Sequence, residues 1–204
     1  MRSAHKRVFF RNYIFDVWEE VYEPAEDSFL FAENLEVKEG DFVLDMGTGC
    51  GILGVIAAEK ASAVVAVDIN PYAVRCAKEN AEQNKAISKM LFIQGDLFSP
   101  FNFNVKFDLI LFNAPYLPTE PNEGASWAEL AWAGGCGGRE VIDRFIRAAP
   151  KYVKRDGRIF LMQSTLTNVK KTMEGFAKEG LKTSILARRS LPFFEALVLV
   201  KAEK

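Results

Sequence analysis

The 204-residue chain has one histidine, His5, and three cysteines, Cys50, Cys76 and Cys136. A lone histidine beside a loosely held terminus leaves no histidine base and no histidine-rich metal site. The cysteines are odd in number, scattered and without a C-x-x-C pair. Neither a disulfide frame nor a structural zinc site is expected, and a reducing compartment is. Net charge is scarce too: 26 Lys and Arg against 27 Asp and Glu leave −1. No global basic field therefore recruits nucleic acid, and the short basic clusters at 151–155, 170–171 and 188–189 read as solvated faces. No apolar run approaches transmembrane length, and the start lacks the h-region of a signal peptide. No membrane association and a cytosolic location are the expectation. Internal repeats and low-complexity tracts are missing as well. What is present is 49% hydrophobic and 26% charged residues, which suits one α/β domain over 1–204 with a substantial core.

The densest signal is 42–54, FVLDMGTGCGILG. Phe42 to Met46 suit a buried strand, with Asp45 near its carboxyl end. Gly47, Gly49 and Gly51 alternate, with Thr48 after the first, and an apolar helical run follows from Ile52 to Lys60. A strand, a glycine turn and a helix opening make a nucleotide-type pocket, because backbone without Cβ turns sharply and approaches a ligand closely. Two ligands compete for it. Gly49, Gly51 and Gly54 meet the G-x-G-x-x-G spacing of a dinucleotide fold, and Asp68 lies 19 residues after Gly49. Asp45, however, stands two residues before the first glycine, where a carboxylate repels a pyrophosphate. A glycine turn without a ligand is the plain alternative.

Around this stretch the chain alternates strand and helix. Residues 1–22 read as a small hairpin or an extended cover, through Val8, Phe9 and Phe10 and then Tyr13, Phe15 and Val17. VYEPAEDSFLF, 21–31, reads as a helix start with Asp27 or Ser28 available as cap, and with Phe29, Leu30 and Phe31 packing on the sheet. Ala63 to Val67 form a second strand ending at Asp68. Asn70 and Pro71 open a helix, with Val74, Ala77 and Ala81 on its apolar face. Met90–Ile93 and Phe107–Phe112 are further strands, ending near Asp96 and at Asn113. A polar loop over 115–138 is long enough to suggest function. Then come a helix over 139–149, a strand over 158–162, a helix over 168–178, and a closing pair, 183–187 with 196–200, antiparallel across Pro192. Such alternation implies an α/β fold with a mostly parallel seven-stranded sheet and helices on both faces. Ligands of such sheets bind beyond the carboxyl ends of the strands, which here carry Asp45, Asp68, Asp96 and Asn113. Each taken singly also suits a cap or a turn.

Asp45 to Gly51, D-x-G-x-G-x-G, resembles motif I of class I S-adenosylmethionine-dependent methyltransferases. There the acid reaches the ammonium-bearing end of the cofactor. With that ligand, Asp68 suits the two ribose hydroxyls, since a carboxylate accepts both hydrogen bonds, and Asp96 with the Leu97 backbone suits the adenine amino edge. Methyl transfer from sulfonium needs the acceptor held in line, so catalysis is mostly positioning. NAPY, 113–116, resembles the N-P-P-Y motif of enzymes that methylate planar nitrogens. The Asn113 side chain and the Ala114 carbonyl would accept from the nitrogen's two hydrogens, Tyr116 would pack on the flat group, and Pro115 would aim the Ala114 carbonyl. Ala114 stands where that motif usually has proline, which loosens the loop but keeps the carbonyl. A strand-ending turn is the bland alternative.

EPAEDS, DMGTGCG, NAPYLPT and WAGGCGGREVIDRF (132–145) together resemble the archaeal–eukaryotic branch of HemK-like glutamine methyltransferases, from about Val21 to the end. The resemblance implies a Rossmann-like class I methyltransferase fold and S-adenosyl-L-methionine as cofactor, with no metal. It implies methylation of the Gly-Gly-Gln loop of class I release factors. Ser28, Asp45, Gly47, Thr48, Gly49, Gly51, Asp68, Asp96, Leu97 and Asn113 would bind the cofactor, and Asn113, Pro115 and Tyr116 would face the glutamine. No separate substrate domain is expected ahead of the motif. The branch works with a small zinc-binding activator subunit, expected to add a strand at the apolar edge near Leu91–Ile93, unless the N-terminal residues cover that edge. The rivals are a methyltransferase acting on a flipped adenine or on lysine, a dinucleotide-dependent oxidoreductase, and a silent cofactor-binding partner. Stabilisation by NAD(H) and not by S-adenosylhomocysteine marks the oxidoreductase.

Overall fold

The computed structural model describes residues 6–120 and 126–204. His5 and the middle of the 115–138 loop lie outside them. The chain opens with β1 (Lys6–Phe10) and β2 (Tyr13–Val17), an antiparallel hairpin, followed by α1 (Glu26–Glu33). Then come β3 (Phe42–Met46), α2 (Ile52–Ala57), β4 (Ala63–Asp68), α3 (Pro71–Gln83), β5 (Met90–Gln94) and β6 (Phe107–Asn113). The second half holds α4 (Trp127–Leu130), α5 (Glu140–Ala148), β7 (Val153–Ser164), α6 (Val169–Lys178), β8 (Lys182–Ser190) and β9 (Ala196–Glu203).

Seven strands form one sheet in the order β5-β4-β3-β6-β7-β9-β8, and β9 runs antiparallel to both of its neighbours. The inner strands are apolar on both faces because helices cover both. Along β6, Leu109 and Leu111 join the core under α1, α2 and α3, while Ile110 and Phe112 join the core under α5 and α6. A buried ion pair locks the far end, where Arg158 on β7 donates to the Asp41 carboxylate at 2.6 Å and to the Glu36 carbonyl at 2.6 Å. This is the fold expected of class I methyltransferases, and the strands fall where the sequence puts them, with β7, β8 and β9 each longer than the expected apolar core.

Three local expectations need correction. The helix after the glycine turn stops at Ala57, and Ala58 to Lys60 continue as turns. Neither Asp27 nor Ser28 caps α1. The cap position is Ala25, with no side-chain bond, and both residues sit buried inside the first turn because their side chains are engaged elsewhere. The 115–138 loop is less irregular than its composition suggests. Ser126 and Glu129 close a capping box on α4, and Leu117 donates to the Trp132 carbonyl and accepts from Gly134. Asn70 does cap α3, accepting from the Tyr72 N–H at 2.9 Å, with Pro71 next. The face α3 buries is Ala73, Cys76, Ala77, Asn80 and Ala81, with Val74 at its margin. Asn80 and Asn84 hold the hairpin through the N–H groups of Asp16 and Ile14. The hairpin thus covers α3, and among the described residues β5 has a strand neighbour on one side only.

Candidate active site

At the carboxyl ends of the parallel strands lies a cavity of about 530 Å³. One part is walled by Gly47, Thr48 and Gly49 after β3, by Asp68 at the end of β4, and by Asp96 and Leu97 after β5. The other part is walled by Ser28 on α1 and by Asn113, Pro115 and Tyr116 after β6, with Trp127 and Trp132 from the following loop. The structure thus brings together all but two of the residues singled out in the sequence.

The exceptions are Asp45 and Gly51, which do not line the cavity. Asp45 is one residue short of the strand end and shares the face of Val43 beneath α2. Its carboxylate accepts from Thr48 Oγ1 at 2.6 Å and from the Gly54 N–H at 3.0 Å. It therefore braces the glycine turn from below. Burial pushes its carboxyl up to about 7, against those two bonds, with Asp68 nearby adding to the rise. An unfolded aspartate titrates near 4, so between about pH 4 and 7 the folded state holds the extra proton. This residue's contribution to stability then falls as pH rises through that window. Asp45→Asn keeps an acceptor oxygen and removes the titration. Its gain in Tm over the parent is expected to be larger at pH 8 than at pH 5 in thermal unfolding. An equal difference at both pH values would mean that the carboxylate stays charged in the folded protein.

Asp68 accepts from the Gly49 N–H and the Asn70 N–H, both at 2.9 Å, one on each oxygen. Burial raises its pKa and these backbone bonds oppose the rise. An ionised carboxylate has about four acceptor positions, and the Ile69 N–H also acts on this one, so acceptor capacity remains but not a full position on each oxygen. Asp96 is not free in the same way, because Arg144 on α5 donates to its carboxylate at 2.5 Å across the cavity mouth. Both groups are exposed enough that the pair adds little stability.

The acceptor side is organised by Asp27, which sequence reading took only for a cap. Its buried carboxylate accepts from the Ser28 N–H (2.6 Å), Ser28 Oγ (3.2 Å), Tyr22 Oη (3.1 Å), Tyr116 Oη (3.3 Å) and Asn113 Nδ2 (3.1 Å). Burial, and then the charge of Asp27, push both phenols up, so each remains a donor. Asn113 Nδ2 also donates to Ser28 Oγ at 3.2 Å. A carboxylate can only accept, so the amide nitrogen of Asn113 must face Asp27 and its oxygen must face away. Among the described residues Asn113 Oδ1 is left buried with no partner, on a residue of the cavity wall. An orphaned buried acceptor costs about 1–3 kcal/mol.

No local pattern announced Asp27, because it meets Asn113 across 86 residues. The WAGGCGG run had a readable signal in its glycines. At Gly138, φ is +69°, and a Cβ would meet the Tyr116 carbonyl oxygen at 2.3 Å. Only glycine lets this segment underlie the NAPY loop. Arg139 then ties the head of α5 to the Thr167 carbonyl on the neighbouring turn and to Thr172 Oγ1 on α6 at 3.0 Å, and is itself held by Asp143, one turn along α5, at 2.6 Å. Among the described residues there is no cluster able to hold a metal ion, and no helix is long and apolar enough to cross a membrane.

Residues 24–131 match the family model of the methyltransferase small domain. A Methanocaldococcus jannaschii protein whose name carries a provisional N5-glutamine methyltransferase assignment is 47% identical over 183 residues, covering 88% of this chain and 90% of that one. The methyltransferase HEMK2 of Homo sapiens is 33% identical over 183 residues, covering 84% of this chain and 85% of that one. The structure of the E. cuniculi Mtq2–Trm112 complex, described as responsible for methylation of the eRF1 translation termination factor, is also similar. It superposes with a TM-score of 0.73 at 27% identity, over 91% of this chain and 99% of that one.

Proposed function

The chain belongs to the methyltransferase small domain family and, within it, to the N5-glutamine methyltransferases of the HEMK2/Mtq2 type, and on that footing we propose that it methylates the side-chain amide of a glutamine in the Gly-Gly-Gln loop of a class I release factor. The observation that carries this reading is Asn113, whose amide nitrogen is held by Asp27 and Ser28 while its oxygen has no partner among the described residues. A primary amide offers two N–H hydrogens in one plane. Asn113 Oδ1 would take one and the Ala114 carbonyl the other. The glutamine nitrogen is a weak nucleophile, because its lone pair is delocalised into the carbonyl. Acceptors on both hydrogens fix its direction and enrich its electron density, while Tyr116 and Pro115 bound the flat group.

The other part of the cavity suits S-adenosylmethionine. Gly49 lines the cavity with φ +56°, and a Cβ there would meet nothing within 4 Å among the described residues, so the backbone faces open space that a ligand could fill. Ser28, Gly47, Thr48, Gly49, Asp68, Asp96 and Leu97 would hold the cofactor, with Asn113 at the boundary and Asp45 and Gly51 supporting the turn from behind. When bound, it supplies an electrophilic methyl on sulfur. Asp68 would orient the ribose through the acceptor capacity its backbone partners leave.

The test is radiolabelled methyl transfer to a class I release factor and to its Gly-Gly-Glu variant, with peptide mapping of the product. Label on the glutamine of the parent factor alone is expected. Label on a lysine, or on adenine in added duplex DNA, would overturn the acceptor assignment.

The likeness to the Mtq2–Trm112 complex also supports an activator subunit on this chain, and we place it at the edge of β5, which no other strand covers among the described residues. Leu91 there is 60% exposed, and Phe92 and Ile93 are half-buried. An apolar edge strand is a template for strand addition. Leu91→Asp is expected to weaken activator binding at least tenfold in calorimetry and to leave S-adenosylhomocysteine binding unchanged. Equal activator affinity would place the contact elsewhere.

A further inference from the structure

The loop from β8 to β9 reads Leu191-Pro192-Phe193-Phe194-Glu195. Phe193 and Phe194 are fully exposed, and both lie in the left-handed region, with φ of 60° and 64°. Bulky residues seldom adopt that region, and such outliers cluster at functional surfaces. The root of the loop, by contrast, is fixed. Leu191 N–H donates to the Glu195 carbonyl at 2.8 Å, Ser164 Oγ to the Glu195 carboxylate at 2.6 Å, and Ala196 N–H to Thr165 Oγ1 at 2.9 Å.

The loop sits on the acceptor side of the site. Leu197 at the start of β9 pairs with Ser164 at the end of β7, and Met162 of β7 pairs with Asn113 on its other flank. The strands β6, β7 and β9 are successive neighbours, so the start of β9, where the loop ends, lies about 10 Å across the sheet from β6, two strand spacings away. Burial and Asp27 do most to raise the Tyr116 pKa, and the charge of Glu195 adds to it across the gap. Leu166, 55% exposed on the turn after β7, extends the same apolar rim.

We propose that Phe193, Phe194 and Leu166 form an apolar ridge on which the protein carrying the acceptor glutamine docks. The proposal rests on the glutamine reading above, and the occupant is the class I release factor itself. A polypeptide whose side chain reaches Asn113 from this side must cross the ridge. Residues 191–195 hold an acid and no basic residue, so the loop itself offers a phosphate backbone no cation; the nearest in sequence, Arg188 and Arg189, lie on β8, and Arg189 is paired with Glu33. The strain and the exposure both fall where the partner's surface would lie.

The test is the double variant Phe193→Asn with Phe194→Asn, assayed with the activator present. Asparagine accepts the left-handed backbone, so Tm should be unchanged or higher. Transfer to a short Gly-Gly-Gln peptide and binding of S-adenosylhomocysteine should also be unchanged. KM for the whole release factor should rise at least tenfold, with kcat within twofold. An unchanged KM for the factor would overturn the ridge and leave the glutamine reading standing. A lower Tm with equal loss on peptide and factor would make the loop structural and overturn it as well. So would unchanged kinetics with lost binding to phosphatidylglycerol vesicles, which would assign the pair to a membrane. Failure of the parent enzyme to label the factor at all would instead sink the substrate reading, and this occupant with it.

Discussion

Asp68→Ala is expected to abolish measurable binding of S-adenosylhomocysteine, and with it methyl transfer to every acceptor, while the sheet stays folded. Asp68 has two tasks. Its oxygens fix the Gly49 N–H and the Asn70 N–H, which sets the shape of the glycine turn against the head of α3. Their remaining acceptor positions suit a pair of vicinal hydroxyls. Hydrogen bonds to a charged group contribute about 1.5–3 kcal/mol each, so losing two corresponds to roughly 10²–10⁴ in Kd. Asp68→Asn keeps an acceptor oxygen but loses the charge, and should fall between parent and alanine. Calorimetry with the far-ultraviolet circular dichroism of each variant separates binding from folding. If Asp68→Ala binds as tightly as the parent, the ribose does not lie at the end of β4. Thermal stabilisation by NAD(H) in place of S-adenosylhomocysteine would return the cavity to the dinucleotide reading.

Much of the scaffold was legible because its signals are local. β3 and β4 are short apolar runs with an acid at the end or one residue before it, as expected of strands buried on both faces. Asn70-Pro71 opens a helix by chemistry that needs no tertiary partner. The rim of polar strand ends was legible in part. Asp68 and Asn113 reach it, whereas Asp45 stops one residue short and turns under α2. A carboxylate's choice between ligand and backbone is decided by a one-residue difference in register, which the motif alone does not encode. Asp27 was misread for a related reason. In EPAEDS it has every local property of a cap, and only the packing of α1 against the end of β6 shows that its partners are Tyr22, Tyr116 and Asn113. The loop before α5 was hidden in another way. Its glycines look like flexibility, but Gly138 marks contact with the Tyr116 carbonyl.

Asn113→Ala should lower kcat for glutamine transfer by about 10²–10³, the usual cost of losing one preorganised hydrogen-bonding group in an active site, with S-adenosylhomocysteine affinity within about threefold of the parent. Asp27→Ala should come close to the same loss without touching the acceptor. With the carboxylate gone, nothing compels the Asn113 nitrogen to turn inward, and its oxygen is no longer presented alone. The two residues then act as one unit, and the double variant should be no slower than Asn113→Ala, because Asp27 works only through the asparagine. Asp27→Asn preserves volume and guards against a trivial loss of fold. It retains one acceptor oxygen but places an NH2 group among Tyr22, Ser28 and Tyr116, which already point donors at that spot. Its kcat should therefore also fall while the cofactor side stays intact. Additive losses in the double variant would show that Asp27 touches the reacting amide directly, and full turnover by Asn113→Ala would remove this pocket as the place where methyl meets nitrogen.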